Sequence, residues 1–280
     1  MNKKTRKLFS LLLGAVFLAG VGLMTRQVLD YRRAEEAKQN ALALAVPARP
    51  TEADTITEGT VPLAPEPDAL PETTEAPTVQ QAPLEEEAKF LLNLDLSPLQ
   101  EKNADVLGWI HIAGGDVSYP LMRSYDNHDY LYLTWEKRFS NAGSVFLECK
   151  NNRNLLDFNT VIYGHHMVNG SIFAPLANYR DPGYLENHSY IYIVTDRDLR
   201  RYEIFSAYEA ELDSHTYRLY FPDDGVKQAA LDHYTGSSLL DTGIIPGVDD
   251  YILTLSTCVG NNTYDTRWVV QARLTGIWSR

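Results

Sequence analysis

Tyr251-Ile252-Leu253-Thr254-Leu255-Ser256-Thr257-Cys258 alternates apolar and polar side chains at the two-residue period of a β-strand and ends on a lone cysteine. A short polar loop, 259–266, follows. The strand pattern then resumes as Arg267-Trp268-Val269-Val270-Gln271-Ala272-Arg273-Leu274. If the two runs pair, a thiol at one strand end meets a guanidinium on the returning strand. Nucleophilic sulfur is thiolate sulfur, and a nearby cation promotes it. Read by itself, Cys258 is equally consistent with a small buried hydrophobe, since free cysteine is among the most buried residue types.

Working outward, strand signals fill most of the chain from residue 84 onward: 106–112, a Gly114-Gly115-Asp116 turn, 117–122, 144–149, 160–165, 190–195, 201–210, 251–258 and 267–278. Helical patches are expected at 26–45, 85–94, after Ser97-Pro98, and at 129–135, 172–179 and 225–234. Eight or so strands, few of them alternating with helices, favour one closed β-barrel with short peripheral helices over a parallel α/β sheet.

The N-terminus has a different composition. Lys3, Lys4, Arg6 and Lys7 precede an uncharged run at 8–25, about the 20 residues that cross a bilayer as a helix. The basic end stays in the cytoplasm and the remainder goes outside. A cleaved signal peptide is the rival reading, but no small-residue cleavage site closes the apolar run before Arg26. Residues 46–83 hold eight of the fourteen prolines and seven acidic residues with no lysine. That composition cannot build a core and predicts a disordered stalk between the membrane and a folded domain. The expected organisation is a basic cytoplasmic tail 1–7, a membrane anchor 8–25, a juxtamembrane helix 26–45, a stalk 46–83 and a folded domain 84–280.

A net charge of −12 over 280 residues argues against nucleic acid, because phosphate binding needs a basic surface. Two cysteines, Cys149 and Cys258, make neither a disulfide framework nor a zinc cluster. The seven histidines lack metal-ligand spacing, so no metal or other cofactor is indicated. Cys149 lies in an apolar segment without loop chemistry and is expected to be an inert thiol. A disulfide to Cys258 is the alternative in an oxidising compartment.

His165 and His166 follow the segment Val161-Ile162-Tyr163-Gly164. Side chains alternate along a strand, so one of the pair can enter a cleft while the other turns away. Histidine suits proton transfer near neutral pH. Gly164 allows close approach of the backbone. Arg273, six residues beyond Arg267 and of the same parity, is the internal comparison for that arginine.

Thr254-Leu255-Ser256-Thr257-Cys258 resembles the T-L-x-T-C signature of sortases. With Tyr163-Gly164-His165-His166-Met167 and the run from Arg267 to Arg273, the chain resembles a class B sortase from about residue 84 onward. Gly108-Trp109-Ile110, Tyr119-Pro120-Leu121-Met122 and the segment 142–147 resemble the start of that class's barrel.

The resemblance implies an eight-stranded β-barrel cysteine transpeptidase on the outer face of a Gram-positive membrane. It would cut a C-terminal sorting signal after threonine and join the surface protein to an amine of peptidoglycan, of its lipid-linked precursor or of a pilin. Cys258 matches the nucleophile, His165 the general acid–base and Arg267 the group that orients the carbonyl. Leu255, Ser256 and Thr257 would line the substrate groove or shape the nucleophile's surroundings. The helix-bearing connection that helps recognise the signal falls at 222–243. The competing readings are another cell-wall cysteine peptidase or amidase, disfavoured because histidine precedes cysteine here, and a non-catalytic surface-tethered binding barrel.

Overall fold

The computed structural model describes residues 3–47, 85–258 and 266–280. The stalk expected at 46–83 and the loop at 259–266 fall almost wholly outside these residues. Eight strands close into one barrel. In chain order they are β1 (Val106–Ile112), β2 (Ser118–Met122), β3 (Val145–Leu147), β4 (Asn159–Tyr163), β5 (Tyr190–Val194), β6 (Asp198–Glu211), β7 (Ile252–Cys258) and β8 (Thr266–Ser279). Around the wall the order is β1-β2-β3-β4-β7-β8-β6-β5. β2 pairs with β3, and β4 with β7, in parallel; the other neighbours run antiparallel.

Alternation decides what lies inside. Ile110, Ile162, Leu253, Leu255, Val270 and Ala272 fill the barrel with essentially no exposed surface. Each of these isoleucine, leucine and valine side chains contributes about 1.5–3 kcal/mol on burial. β1 is buried along its whole length because its outer side is covered too. Trp109, Met122, Phe146 and Val194 on that side pack against α1 (Lys3–Ala45), α2 (Glu86–Leu92) and α3 (Ser97–Lys102).

The expected helix at 26–45 is the second half of α1, but it does not project freely. Ala37, Ala41 and Ala45 recur every fourth residue and are buried against the domain, since small side chains at that spacing let a helix approach closely. Residues 30–45 therefore belong to the folded unit together with the domain expected at 84–280.

Other boundaries differ from expectation for local reasons. The run 144–149 is a strand only over Val145–Leu147, because the chain turns after Glu148, whose carbonyl accepts from Asn151 N at 2.9 Å. The helix expected at 129–135 is the single turn α4 (Asp129–Tyr132). The patch at 172–179 is a 3-10 helix, Ala174–Arg180, entered from Ile172 at φ 58°. The helix expected at 225–234 is α5 (Asp224–Gly236), capped by Asp223, which accepts from Val226 N at 2.9 Å. It lies in the long β6–β7 connection and packs Ala230, Leu231 and Tyr234 against Phe205 and Ile252.

Candidate active site

The parallel pairing of β4 with β7 brings the two halves of the sequence motif together. Tyr163 lies opposite Ser256, and Gly164 N extends the ladder by donating to Ser256 O at 3.2 Å. The pairing stops there: His165 is two residues beyond Tyr163, as Cys258 is two beyond Ser256. On the other side β8 runs antiparallel, with Arg267 opposite Cys258. Leu253, Leu255, Trp268 and Val270 belong to the barrel interior. Tyr163, Ser256 and Arg267 hold the opposite parity, on the outer wall. Three adjacent strand ends thus carry histidine, cysteine and arginine side by side, with the cysteine on the middle strand.

His165 is held firmly. Its Nε2 lies 2.9 Å from the carbonyl oxygen of Leu131, and its ring sits 6.4 Å from the ring of Tyr132. A carbonyl only accepts, so Nε2 carries the proton of the neutral ring and Nδ1 is the nitrogen with a free lone pair. Burial pushes the His165 pKa below its usual value, the Leu131 carbonyl partly offsets this, and the Arg267 charge lowers it further. The resting imidazole is therefore neutral at pH 7. Behind it, Gly164 is pressed against Phe173: a Cβ at 164 would stand 2.7 Å from ring carbons of that buried side chain.

His166 has the other parity. Its Nδ1 is buried without a partner, and burial together with Arg180 lowers its pKa. It faces a cleft of about 510 Å³ at the barrel mouth, shared with Asp116, Asn178 and His188. Of the two histidines, His165 keeps the parity of Tyr163. Arg267 Nη1 donates to Thr266 O at 2.9 Å. Arg273 is paired with Glu203 at 3.2 Å, well down the barrel from the motif.

The three motif residues before the cysteine separate by parity. Leu255 is in the barrel interior and Thr257 is buried with the same parity. Of the two expected roles, lining a groove or shaping the nucleophile's surroundings, their inward parity suits the second. Ser256 is on the outer wall, where its Oγ is 2.9 Å from the hydroxyl of Tyr217. Tyr217 stacks on Tyr163 at 6.5 Å, and the Tyr163 hydroxyl donates to Glu148 at 3.0 Å. A cleft of about 600 Å³ beside Tyr217 is lined by Lys150, Arg218, Leu219, Tyr220, Pro222 and Val226.

The β6–β7 connection is fastened to the wall by a polar ladder that sequence reasoning misses. Asn159 Nδ2 donates to the carbonyls of Thr216 and Arg218 at 2.9 and 3.1 Å. Thr254 Oγ1 donates to Asn159 Oδ1 at 2.7 Å and accepts from Gln271 Nε2 at 3.0 Å. All three side chains are buried on the outer side of β4, β7 and β8. Tyr217 is missed as well, and the Leu131 contact, being to a backbone carbonyl, leaves no side-chain signal at all.

Cys149 is a free thiol. Burial and the adjacent Glu148 push its pKa up, the reverse of what a nucleophile needs. Among the described residues no group of His, Cys, Asp and Glu could hold a metal ion.

A sortase domain model matches residues 110–275. The match spans every strand of the motif. The chain belongs to the sortase family, in class B. Sortase B of Listeria monocytogenes is 34% identical over 184 residues, covering 64% of this chain and 74% of that protein. Sortase B of Staphylococcus aureus is 31% identical over 172 residues, covering 61% and 70%. Among solved structures, a Staphylococcus aureus sortase B–substrate complex superposes with a TM-score of 0.60 at 31% identity, over 64% of this chain and 83% of that one. Clostridium perfringens sortase B gives 0.61 at 30% identity, over 65% of this chain and all of that one. A further solved structure holds sortase B with triglycine. This sortase is thus a cysteine transpeptidase of the cell wall, and its N-terminal helix is long and apolar enough to cross a membrane.

Proposed function

We propose that this sortase cleaves a C-terminal sorting signal after threonine and transfers the protein to a cell-wall amine, with Cys258 as nucleophile, His165 as acid–base and Arg267 as carbonyl ligand. The observation that supports the reading is the register of β4, β7 and β8: Arg267 pairs with Cys258, and His165 follows Tyr163, the partner of Ser256, by the same two residues that separate Ser256 from Cys258. The Cys258 thiol passes its proton to Nδ1 of His165 as sulfur attacks the threonine carbonyl carbon. Arg267 stabilises the oxyanion that forms. The C–N bond breaks, His165 returns the proton to the leaving amine, and a thioester to Cys258 is left. The acceptor amine attacks that thioester and gives a proton to His165; the C–S bond breaks as the new amide forms, and the departing thiolate takes the proton from His165.

The Tyr217 cleft, two residues back along β7 and walled by the α5 connection, supports binding of the signal's N-terminal part. Residues 8–25 anchor the enzyme in the membrane, with 1–7 in the cytoplasm and the barrel outside. The solved complexes of sortase B with substrate and with triglycine support these two substrate classes.

The test uses the full chain in lipid nanodiscs, a library of threonine-containing signal peptides and a primary-amine acceptor. Intact enzyme gives an acyl adduct by mass spectrometry whose mass locates the cut and whose site is Cys258. Cys258→Ala abolishes the adduct, and His165→Ala abolishes transfer. An adduct elsewhere, or transfer surviving Cys258→Ala, would sink the assignment.

A further inference from the structure

We propose that α1 is part of the machinery that positions His165, with Asp30, Ala37 and Lys38 as positioning residues that act through the two loops holding the histidine, a role that builds on the transpeptidase reading above.

His165 is held at two points. Its ring is fixed by the Leu131 carbonyl, 2.9 Å from Nε2. Its own backbone carbonyl accepts from Phe173 N at 3.0 Å. Leu131 and Phe173 belong to different loops, at 128–144 and 164–173. The first contains only the single turn α4, and the second bends through Ile172 at φ 58°. Loops of this kind owe their rigidity to what packs on them.

On the first loop, that partner is α1. Asp30 Oδ2 accepts from Asn141 N at 3.0 Å and from Asn141 Nδ2 at 2.6 Å. The Ala37 carbonyl accepts from Trp135 Nε1 at 2.7 Å. Both α1 residues are buried. Ser140 N donates to Tyr132 O and Ser144 N to Tyr130 O, each at 2.9 Å, so the residues flanking Leu131 are tied to those flanking Asn141. Gly143, at φ 58°, is so close that a Cβ there would stand 2.6 Å from Leu131 O. The carbonyl that fixes the imidazole thus backs onto a residue two positions from the partner of Asp30. Asn103 Nδ2, donating to Trp135 O at 2.6 Å, and Asp105, accepting from the Tyr130 hydroxyl at 2.8 Å, hold the loop elsewhere. Among the described residues, Asp30 is the only side chain outside the loop that hydrogen-bonds 138–143.

α1 reaches the second loop through Tyr119. Lys38 stands 4.6 Å over the Tyr119 ring, and its Nζ donates to Asp116 O at 3.0 Å. The Tyr119 hydroxyl accepts from Ile172 N at 3.0 Å, one residue before Phe173. The two routes converge. Ala34, Ala37, Tyr119, Trp135, Gly143 and Ile172 surround a void of only about 20 Å³, room for about one water molecule. Walls packed this closely pass a displacement from one to the next. Loosening α1 therefore frees both supports of His165 at once. None of the residues lining the Tyr217 cleft belongs to this cluster.

The test uses the full chain in lipid nanodiscs with Asp30→Ala, Asp30→Asn, Lys38→Met and the control Gln39→Ala, an exposed α1 residue bonded to Glu35 at 2.8 Å. The first readout is the side-chain nitrogen spectrum of His165 in protein labelled with ¹⁵N-histidine. The unmodified chain should show the well-separated Nδ1 and Nε2 resonances of one neutral tautomer. In Asp30→Ala they should draw together as the ring leaves Leu131 and the other tautomer is populated. The second readout is kinetic. Misplacement of about 1 Å costs about 10²-fold, so a shift of a few tenths is expected to lower kcat roughly tenfold, with KM for the signal peptide within about twofold of the unmodified enzyme. Asp30→Asn, which keeps one acceptor oxygen, should recover most of the loss. Lys38→Met should lose less than Asp30→Ala, and Gln39→Ala nothing. Unchanged resonances and kcat in Asp30→Ala overturn the proposal whatever its melting temperature, as does a loss confined to KM or one that Asp30→Asn fails to recover. If Asp30→Ala does not fold, Lys38→Met decides, and unchanged resonances and kcat there overturn it. No transfer by the unmodified enzyme would count against the transpeptidase reading, and the resonances alone would then decide the role of α1.

Discussion

Gly164→Ala tests the strand end that presents His165. The added Cβ would sit 2.7 Å from Cγ and Cδ2 of Phe173 and 3.0 Å from Ile172, where ordinary contact begins near 3.4 Å. Phe173 is fully buried in the barrel cluster, so its ring has no solvent to move into. Gly164 does not have a left-handed φ, which makes the cost steric rather than conformational. Overpacking of this kind costs about 1–3 kcal/mol. For a domain of this size that lowers the melting temperature by about 2–12 °C. The end of β4 can relieve the clash only by moving His165 by several tenths of an ångström relative to β7. Misplacement approaching 1 Å costs on the order of 10²-fold in turnover. Calorimetry and kcat/KM on the same preparation read both effects. Phe173→Leu shrinks the opposing ring, so the double variant should be more stable than the sum of the single losses by at least about 0.5 kcal/mol. If Gly164→Ala keeps both the wild-type Tm and turnover, the close approach is not what positions His165.

Three further outcomes follow from the site. Arg267→Gln should raise the His165 pKa, read by NMR titration, because it removes a charge that holds the ring neutral, whereas Arg267→Lys should leave it nearly unchanged. Asn159→Leu removes two donors and orphans Thr254 and two carbonyls, costing about 2–4 kcal/mol. It should open 212–223 to proteolysis and raise KM for the signal more than it lowers kcat; unchanged proteolysis would show that the ladder does not fasten the connection. Burial lowers the pKa of His165, His166 and His233, so the unfolded chain binds more protons below their unfolded value of about 6.5. Stability is then full above that pH and is lost as pH falls through the folded values. The urea midpoint should drop between pH 7.5 and 5, and drop less in His166→Gln.

The barrel is legible because its strands obey a simple alternation: Leu253 and Leu255 inward, Thr254 and Ser256 outward. Cys258, His165 and Arg267 stand out as candidates because chemistry-bearing residues are placed at strand ends, and β7 and β8 then pair Cys258 with Arg267. The failures share a cause. Asn159, Thr254 and Gln271 look like a solvated face, yet a connection distant in sequence covers them. Ala37, Ala41 and Ala45 carry little hydropathy, so their docking surface, assembled from segments between 91 and 146, leaves no mark on the helix itself. Leu255 and Thr257 stand in the motif beside Ser256, but motif membership says nothing of parity.

β8 occupies the gap between β7 and β6 in the wall and also carries Arg267. It is the last strand in chain order. A nascent polypeptide that has emerged only as far as residue 258 already contains the thiol and the imidazole, yet it has an open sheet edge along β7 and no guanidinium beside them. The barrel wall therefore cannot close, and the ends of β7 and β8 cannot meet, until synthesis has delivered the last strand.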